Sequence, residues 1–117
     1  TMEYRWITQN ANGYDQLSRQ QMTLSGTTPN ENNEIHITVT VPSASSSFPK
    51  EVRQHVSLDG LYLIAVISSA AKIIPLEGAP SLGVPETFEI GKDYRYEVTA
   101  ANGKKAVYRI IIEDFIK

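Results

Sequence analysis

The stretch YRYEVTAANGKKAVYRIIIE, Tyr94 to Glu113, decides the fold. Tyr94, Tyr96, Val98 and Ala100 alternate with Arg95, Glu97 and Thr99. After Ala101 to Lys104, the residues Tyr108, Ile110 and Ile112 occupy every second position again. A period of two marks strands with one buried and one wet face. Asn102-Gly103 lies between the two runs, and Asn-Gly flanked by alternating apolar residues is the strongest short-range hairpin signal. Both residues tolerate the positive φ that a type I′ turn demands. The segment is therefore expected to be an antiparallel hairpin.

Working outward toward the N-terminus, Gly91-Lys92-Asp93 turns a short strand over Phe88 to Ile90. Glu77 to Pro85 holds two glycines and two prolines and is loop. Lys72 to Pro75 is a short strand. Leu61 to Ser68 (LYLIAVIS) is nearly continuous apolar and rich in β-branched residues. Periodicity alone does not separate a buried strand from a buried helix here, and its length and serine-rich end favour a core strand. Asp59-Gly60 ahead of it reads as a turn. Ser43 to Pro49 (SASSSFP) reads as a flexible loop.

Glu34 to Val41 (EIHITVTV) is the cleanest strand, with Ile35, Ile37, Val39 and Val41 on one face. Pro42 ends it, because proline cannot donate to a ladder. Ser25 to Asn33 is loop by composition. Tyr14 to Met22 is ambiguous: Tyr14, Leu17 and Gln21 stand at helical spacing, while Gln20 to Leu24 suits a short strand. Asn10 to Gly13 is a turn, and Glu3 to Thr8 (EYRWIT) is a first strand. These elements predict an all-β, immunoglobulin-like β-sandwich of about seven antiparallel strands. One domain over residues 1–117 is expected, with residues 1–33 an expanded N-terminal part.

Composition fits that class. In 117 residues, 41% are apolar and 21% charged, enough for one core without staples. The net charge of −2 and the absence of a basic stripe argue against nucleic acid. Lys104-Lys105, the one adjacent basic pair, falls in the hairpin turn. With no cysteine there is no disulfide, thiolate metal site or cysteine nucleophile. The longest apolar run is far short of the roughly 20 residues of a membrane-spanning helix. No secretory signal is visible, and a chain that begins at Thr1 would look the same if it had been processed.

Ile35 to Pro42, Ser68 to Pro75, Tyr96 to Gly103 and Tyr108 to Ile112 occur in the order of a pattern: a strand ending in proline, S-x-x-A-x-I-x-P, Y-x-V-T-A-x-(N/D)-G, and a closing Y-x-I-x-I. In this the chain resembles the Ig-like domains of unknown function in surface lipoproteins of the Bacteroidota, from about Glu34 onward. The resemblance implies an exported protein at the cell surface (outer membrane) or in the periplasm. It implies a module that spaces, presents or attaches other domains of the same protein, some of which bind glycans. It supplies no catalytic residues, and fold analogy is weak warrant for activity.

No constellation of residues announces chemistry. His36 and His55 lack local partners at metal-ligand or acid–base spacing. No Gly-x-Ser-x-Gly elbow is present, and Gly78, Gly83 and Gly91 precede no helix that could cradle a phosphate. Glu86, Glu89, Asp93 and Glu97 alternate with apolar residues and read as a solvated strand face rather than a glycosidase pair. Asn30 to Glu34 (NENNE) gathers oxygen donors of the kind calcium takes, without a fixed ligand spacing. No cofactor or metal is assigned. Trp6 and Tyr14, with Tyr4 and Tyr62, could stack on a sugar if exposed; Trp6 as a core plug of the first strand is the competing and favoured reading. Tyr96 is expected to be a buried tyrosine whose hydroxyl finds a backbone partner. The functional expectation is a non-enzymatic structural, spacer or adhesive module. The alternative is a carbohydrate-binding module whose first contact residues are Trp6 and Tyr14, with a glycan or protein as ligand.

Overall fold

The computed structural model describes all residues from Thr1 to Lys117. Nine strands form in chain order: β1 (Met2–Gln9), β2 (Asp15–Gln21), β3 (Thr23–Ser25), β4 (Glu34–Thr40), β5 (Asp59–Leu63), β6 (Lys72–Leu76), β7 (Pro85–Thr87), β8 (Asp93–Thr99) and β9 (Lys105–Ile116). One four-residue helix, α1 (Lys50–Arg53), lies between β4 and β5. No helix is long and apolar enough to cross a membrane. The first sheet has the order β2-β1-β5-β7 and the second β3-β4-β9-β8-β6. The two pack face to face as a β-sandwich.

The alternating strands fold as their pattern dictates. Ile37, Val39 and Val41 are buried beside Tyr94, Tyr96 and Ile112, while Met2, Leu61 and Leu63 meet them from the first sheet. Strand β8 pairs antiparallel with β9 from Asp93↔Ile111 to Thr99↔Lys105. The turn between them differs from the expected type I′. Gly103 has φ +84°, but Asn102 does not enter the left-handed region. Gly103 N–H donates to Ala100 O and Ala100 N–H to Lys104 O, so the loop has three residues with glycine in the left-handed position. Asn10 to Tyr14 and Asn30 to Glu34 repeat the same two backbone bonds, with Gly13 and Asn33 at positive φ.

Five other expectations are corrected. The strands number nine rather than about seven, because the polar Tyr14–Met22 region is strand. It divides into β2 and β3 on either side of Met22, which is buried where the chain steps between sheets. The second sheet is mixed, since β4 runs parallel to β9 from Glu34↔Arg109 to Thr40↔Ile116. Four strands, β5 to β8, lie between the two along the chain, as a parallel pair requires a long crossover. Asp59-Gly60 is not a turn: it opens β5, with a register shift opposite β7 and Gly60 at φ +95°.

The apolar run Leu61 to Ser68 is strand only to Leu63. In β5, Leu63 lies opposite Met2 of β1 and Tyr62 opposite Pro85 of β7. Ile64 still exchanges two backbone bonds with Thr1, whereas Ala65 to Ile67 make no ladder bond and leave the sheet. Phe88–Ile90 is likewise displaced. The strand is β7, Phe88 is buried just beyond it, and Ile90 makes an isolated bridge to Ile112.

Strand β5 pairs with β1 only at Met2 and Glu3. From Tyr4 onward β1 pairs with β2 alone, so the first hairpin forms a two-stranded arm. The arm is tied down by Trp6, whose ring lies 5.9 Å from that of Phe48. Phe48 is fully buried, so the serine-rich segment around it is anchored at this point. Arg53 Nε adds a bond to Pro42 O at 2.8 Å.

Candidate functional site

The inner face of the second sheet is wider than the sheet that covers it. Leu24, Ile35, Ile110, Tyr108, Val98 and Ile73 project from β3, β4, β9, β8 and β6 toward the region where β5 has ended. A cleft of about 770 Å³ remains there. That volume falls in the range of small-molecule sites, which are about 300–1,000 Å³ and mostly apolar. No Asp, Glu, Lys, Arg or His side chain lines it. Ile64 to Ile67 form its lip, and Val66 at the mouth is 86% exposed. Tyr96 closes the base. Its hydroxyl donates to Pro80 O at 2.6 Å, and burial pushes its ionisation well above the ordinary tyrosine range. The cleft can therefore enclose apolar surface, and its one ionisable amine is the α-amino group of Thr1, which donates to Ile64 O and whose pKa burial lowers.

The titratable groups gather instead on the outer face of the same sheet. Arg109 on β9 donates from Nη2 to Asp93 Oδ2 at 2.7 Å, and its Nη1 lies 3.2 Å from Glu34 Oε2. Arg109 holds the Asp93 carboxyl below the usual carboxylate range. Asn30 Nδ2 donates to Glu34 Oε1 at 3.1 Å and is the main reason the Glu34 carboxyl is also lowered. His36 stands between two carboxylates: its Nδ1 bonds Glu113 and its Nε2 lies 3.6 Å from Glu34. Glu113 above all, then Glu34, raises the His36 pKa. This strip lies on an open strand face with no concavity, so it can titrate and hold strands in register but has no place to seat a substrate.

The residues singled out in the sequence are distributed as follows. Trp6 is partly buried, stacked on Tyr4 at 6.1 Å and tilted against Phe48 at 5.9 Å. Its indole N–H is enclosed without an acceptor. Tyr14 sits beyond the tip of the β1–β2 arm, 70% exposed, and no ring stacks on it. The fold does not join the two into one aromatic platform. Tyr62 lies under the Arg5 guanidinium at 4.2 Å. His55 is exposed in the turn after α1. Within the NENNE loop the Asn30 side-chain oxygen accepts the N–H groups of Asn32 and Glu34, so it serves the turn. Glu89 pairs with Lys92, Glu97 with Lys105 and Asp93 with Arg109.

Two features escaped the sequence. The His36–Glu113 contact joins residues 77 apart across the parallel β4–β9 pair, and no local signal announces it. The cleft follows from where β5 stops. Its one sequence sign is the apolar run that outlasts the strand, Ile64 to Ile67.

The chain can be placed among known proteins. A crystal structure of a candidate secreted protein from Bacteroides fragilis is similar to it, with a TM-score of 0.84 and 25% identity over 99% of this chain and 91% of that one. No curated protein matches. The model of the DUF5018-related family matches residues 1–111, from the first strand of the arm into β9. The chain belongs to the DUF5018-related family.

Proposed function

We propose that this domain is a non-enzymatic binding or spacer module of an exported bacterial protein. The observation that carries the reading is the chemistry of its cleft. The apolar cleft described above has no acidic, basic or charged side chain in its walls, and a second hollow of about 440 Å³ holds Lys50 and Arg53 but no acid, whereas catalysis of proton or group transfer needs such groups within reach of the substrate. Export is supported by the similarity to the Bacteroides protein, which is described as secreted. An immunoglobulin-like arrangement is supported by the strand order. β5 and β7 face β6, β8 and β9, as strands B and E face C, F and G in that fold. Tyr94 near the start of β8 accepts the N–H of Glu89 at 2.7 Å, which matches the tyrosine corner of such domains.

A surface or periplasmic setting, and a role in holding or presenting neighbouring domains, belong to the same proposal, and the similarity to a protein described as secreted supports the setting. A broad panel of glycan and ester substrates tests the reading. No turnover above buffer is expected, and turnover that scales with enzyme concentration overturns it. Carbohydrate binding at Trp6 and Tyr14 is the weaker alternative. Only the exposure of Tyr14 favours it, because Trp6 is occupied by Tyr4 and Phe48. Glycan-array binding that is lost on Tyr14→Ala would promote it.

A further inference from the structure

We propose that the apolar cleft between the sheets binds the aliphatic chain of a free fatty acid, tail inward and carboxylate at the rim. The proposal rests on the reading of the domain as a binding module and adds the ligand class. A cleft of about 770 Å³ that opens at the mouth and is walled mainly by apolar side chains has the size of a small-molecule site. Its walls then decide what may enter. They carry no charged side chain, and a charge or an unpaired polar group buried there would lose its hydration without compensation. A sugar brings many hydroxyls, and the hydroxyl of Tyr96 at the base is already committed to Pro80.

A peptide strand also fits poorly. The central wall strands β9 and β8 are paired on both sides and meet the cleft with side chains, and the free edges of β3 and β6 lie at the two ends of the sheet rather than along the floor of the cleft. Strand addition needs such an edge. What remains is a ligand that asks only for apolar contact along its length. The aliphatic side chains of Leu24, Ile35, Ile73, Val98 and Ile110 supply it. Polar residues at the margin, Gln21 and Thr27, suit the exit of a headgroup into water. The lip is apolar too. Val66 and Ile67 stand exposed over the mouth, where a bound chain would give them a partner.

The test uses the full chain, stripped of lipid on a hydrophobic resin and titrated with cis-parinaric acid, a fluorescent long-chain fatty acid. Saturated fatty acids of increasing length then compete. The expected result is saturable binding at one site per chain, tightening with chain length until the cleft is filled. Val98→Trp and Ile73→Trp fill the cleft from two strands and should weaken binding roughly tenfold or more. Ile74→Trp, at a position 50% exposed, should bind like the wild type. If the filling variants do not fold, the chain-length series on the wild type decides alone. Absence of saturable binding overturns the proposal, as does equal binding by a folded Val98→Trp. Sedimentation with phosphatidylcholine vesicles but no binding of free fatty acid also overturns it and makes the lip a membrane contact. Loss of this proposal without turnover on the substrate panel leaves the non-enzymatic reading standing; turnover removes that reading separately.

Discussion

The hydroxyl of Tyr96 donates to the carbonyl oxygen of Pro80 at 2.6 Å, and the ring that carries it is fully buried. The bond pins the loop between β6 and β7 to the middle of β8. Tyr96→Phe keeps the ring but strands the Pro80 carbonyl, which should cost about 1–2 kcal/mol. In a domain of this size that is a fall in melting temperature of roughly 4–8 °C. Tyr94→Phe, which leaves the Glu89 N–H without its acceptor, should cost a similar amount. Thermal melts of the two variants check both bonds, and a wild-type midpoint for Tyr96→Phe would contradict the first.

The outer-face strip predicts a dome-shaped dependence of stability on pH. His36 has a raised pKa in the folded state, through Glu113 first and Glu34 second. Its contribution is therefore complete below the ordinary histidine value of about 6.5 and is lost as pH rises through the higher folded value. Asp93 and Glu34 have lowered values, so their contribution is present above the ordinary carboxylate range and lost as pH falls through the folded values. The melting temperature should thus decline as pH rises above about 6.5 through the raised His36 value, and again in acid. His36→Gln should flatten the alkaline decline and leave the acid limb in place. A variant whose alkaline limb matches the wild type would show that His36 is not its source.

Two glycines at similar φ should respond differently to the same substitution. Gly103 has φ +84° in the hairpin loop, and a Cβ there meets nothing. Gly103→Ala pays only for the left-handed backbone, about 1 kcal/mol. Gly26, at φ +78° after β3, packs on β4, and a Cβ there would collide with the backbone carbonyl oxygen of His36. Gly26→Ala adds that collision to the same strain and should cost about 3 kcal/mol. Denaturant melts of the pair give the order, and equal midpoints would refute the packing of Gly26 on β4.

These residues also show which parts of the structure were legible in sequence. Strands β4, β8 and β9 were, because each buries one face and keeps the other wet, and alternation records that difference directly. Strand β2 was not: DQLSRQQ lies at a sheet edge with both faces mostly solvated, so no burial pattern is written into it. The run Leu61 to Ile67 was legible as apolar but not as two structures. Backbone pairing ends after Ile64, and where pairing ends is a property of the fold rather than of the run itself. The same holds for the cleft, whose wall residues alternate as core residues do. Alternation tells which face is apolar and is silent on whether anything covers it.

Phe48 offers the sharpest test of how the arm is held. It sits in a serine-rich segment with no regular structure, yet its side chain is fully buried and its ring lies 5.9 Å from that of Trp6. A residue in a solvated loop would tolerate truncation, whereas a buried phenylalanine loses about 3–5 kcal/mol on replacement by alanine. Phe48→Ala should therefore be among the most damaging single changes in the chain. It should also expose the one tryptophan on the face now covered by Phe48. In the wild type, Trp6 emission should be blue-shifted and shielded from iodide. In Phe48→Ala, under conditions where the variant stays folded, emission should shift to the red and quenching should increase. Trp6 that is already open to iodide in the wild type would refute this packing, and would return Trp6 to the candidates for a surface contact.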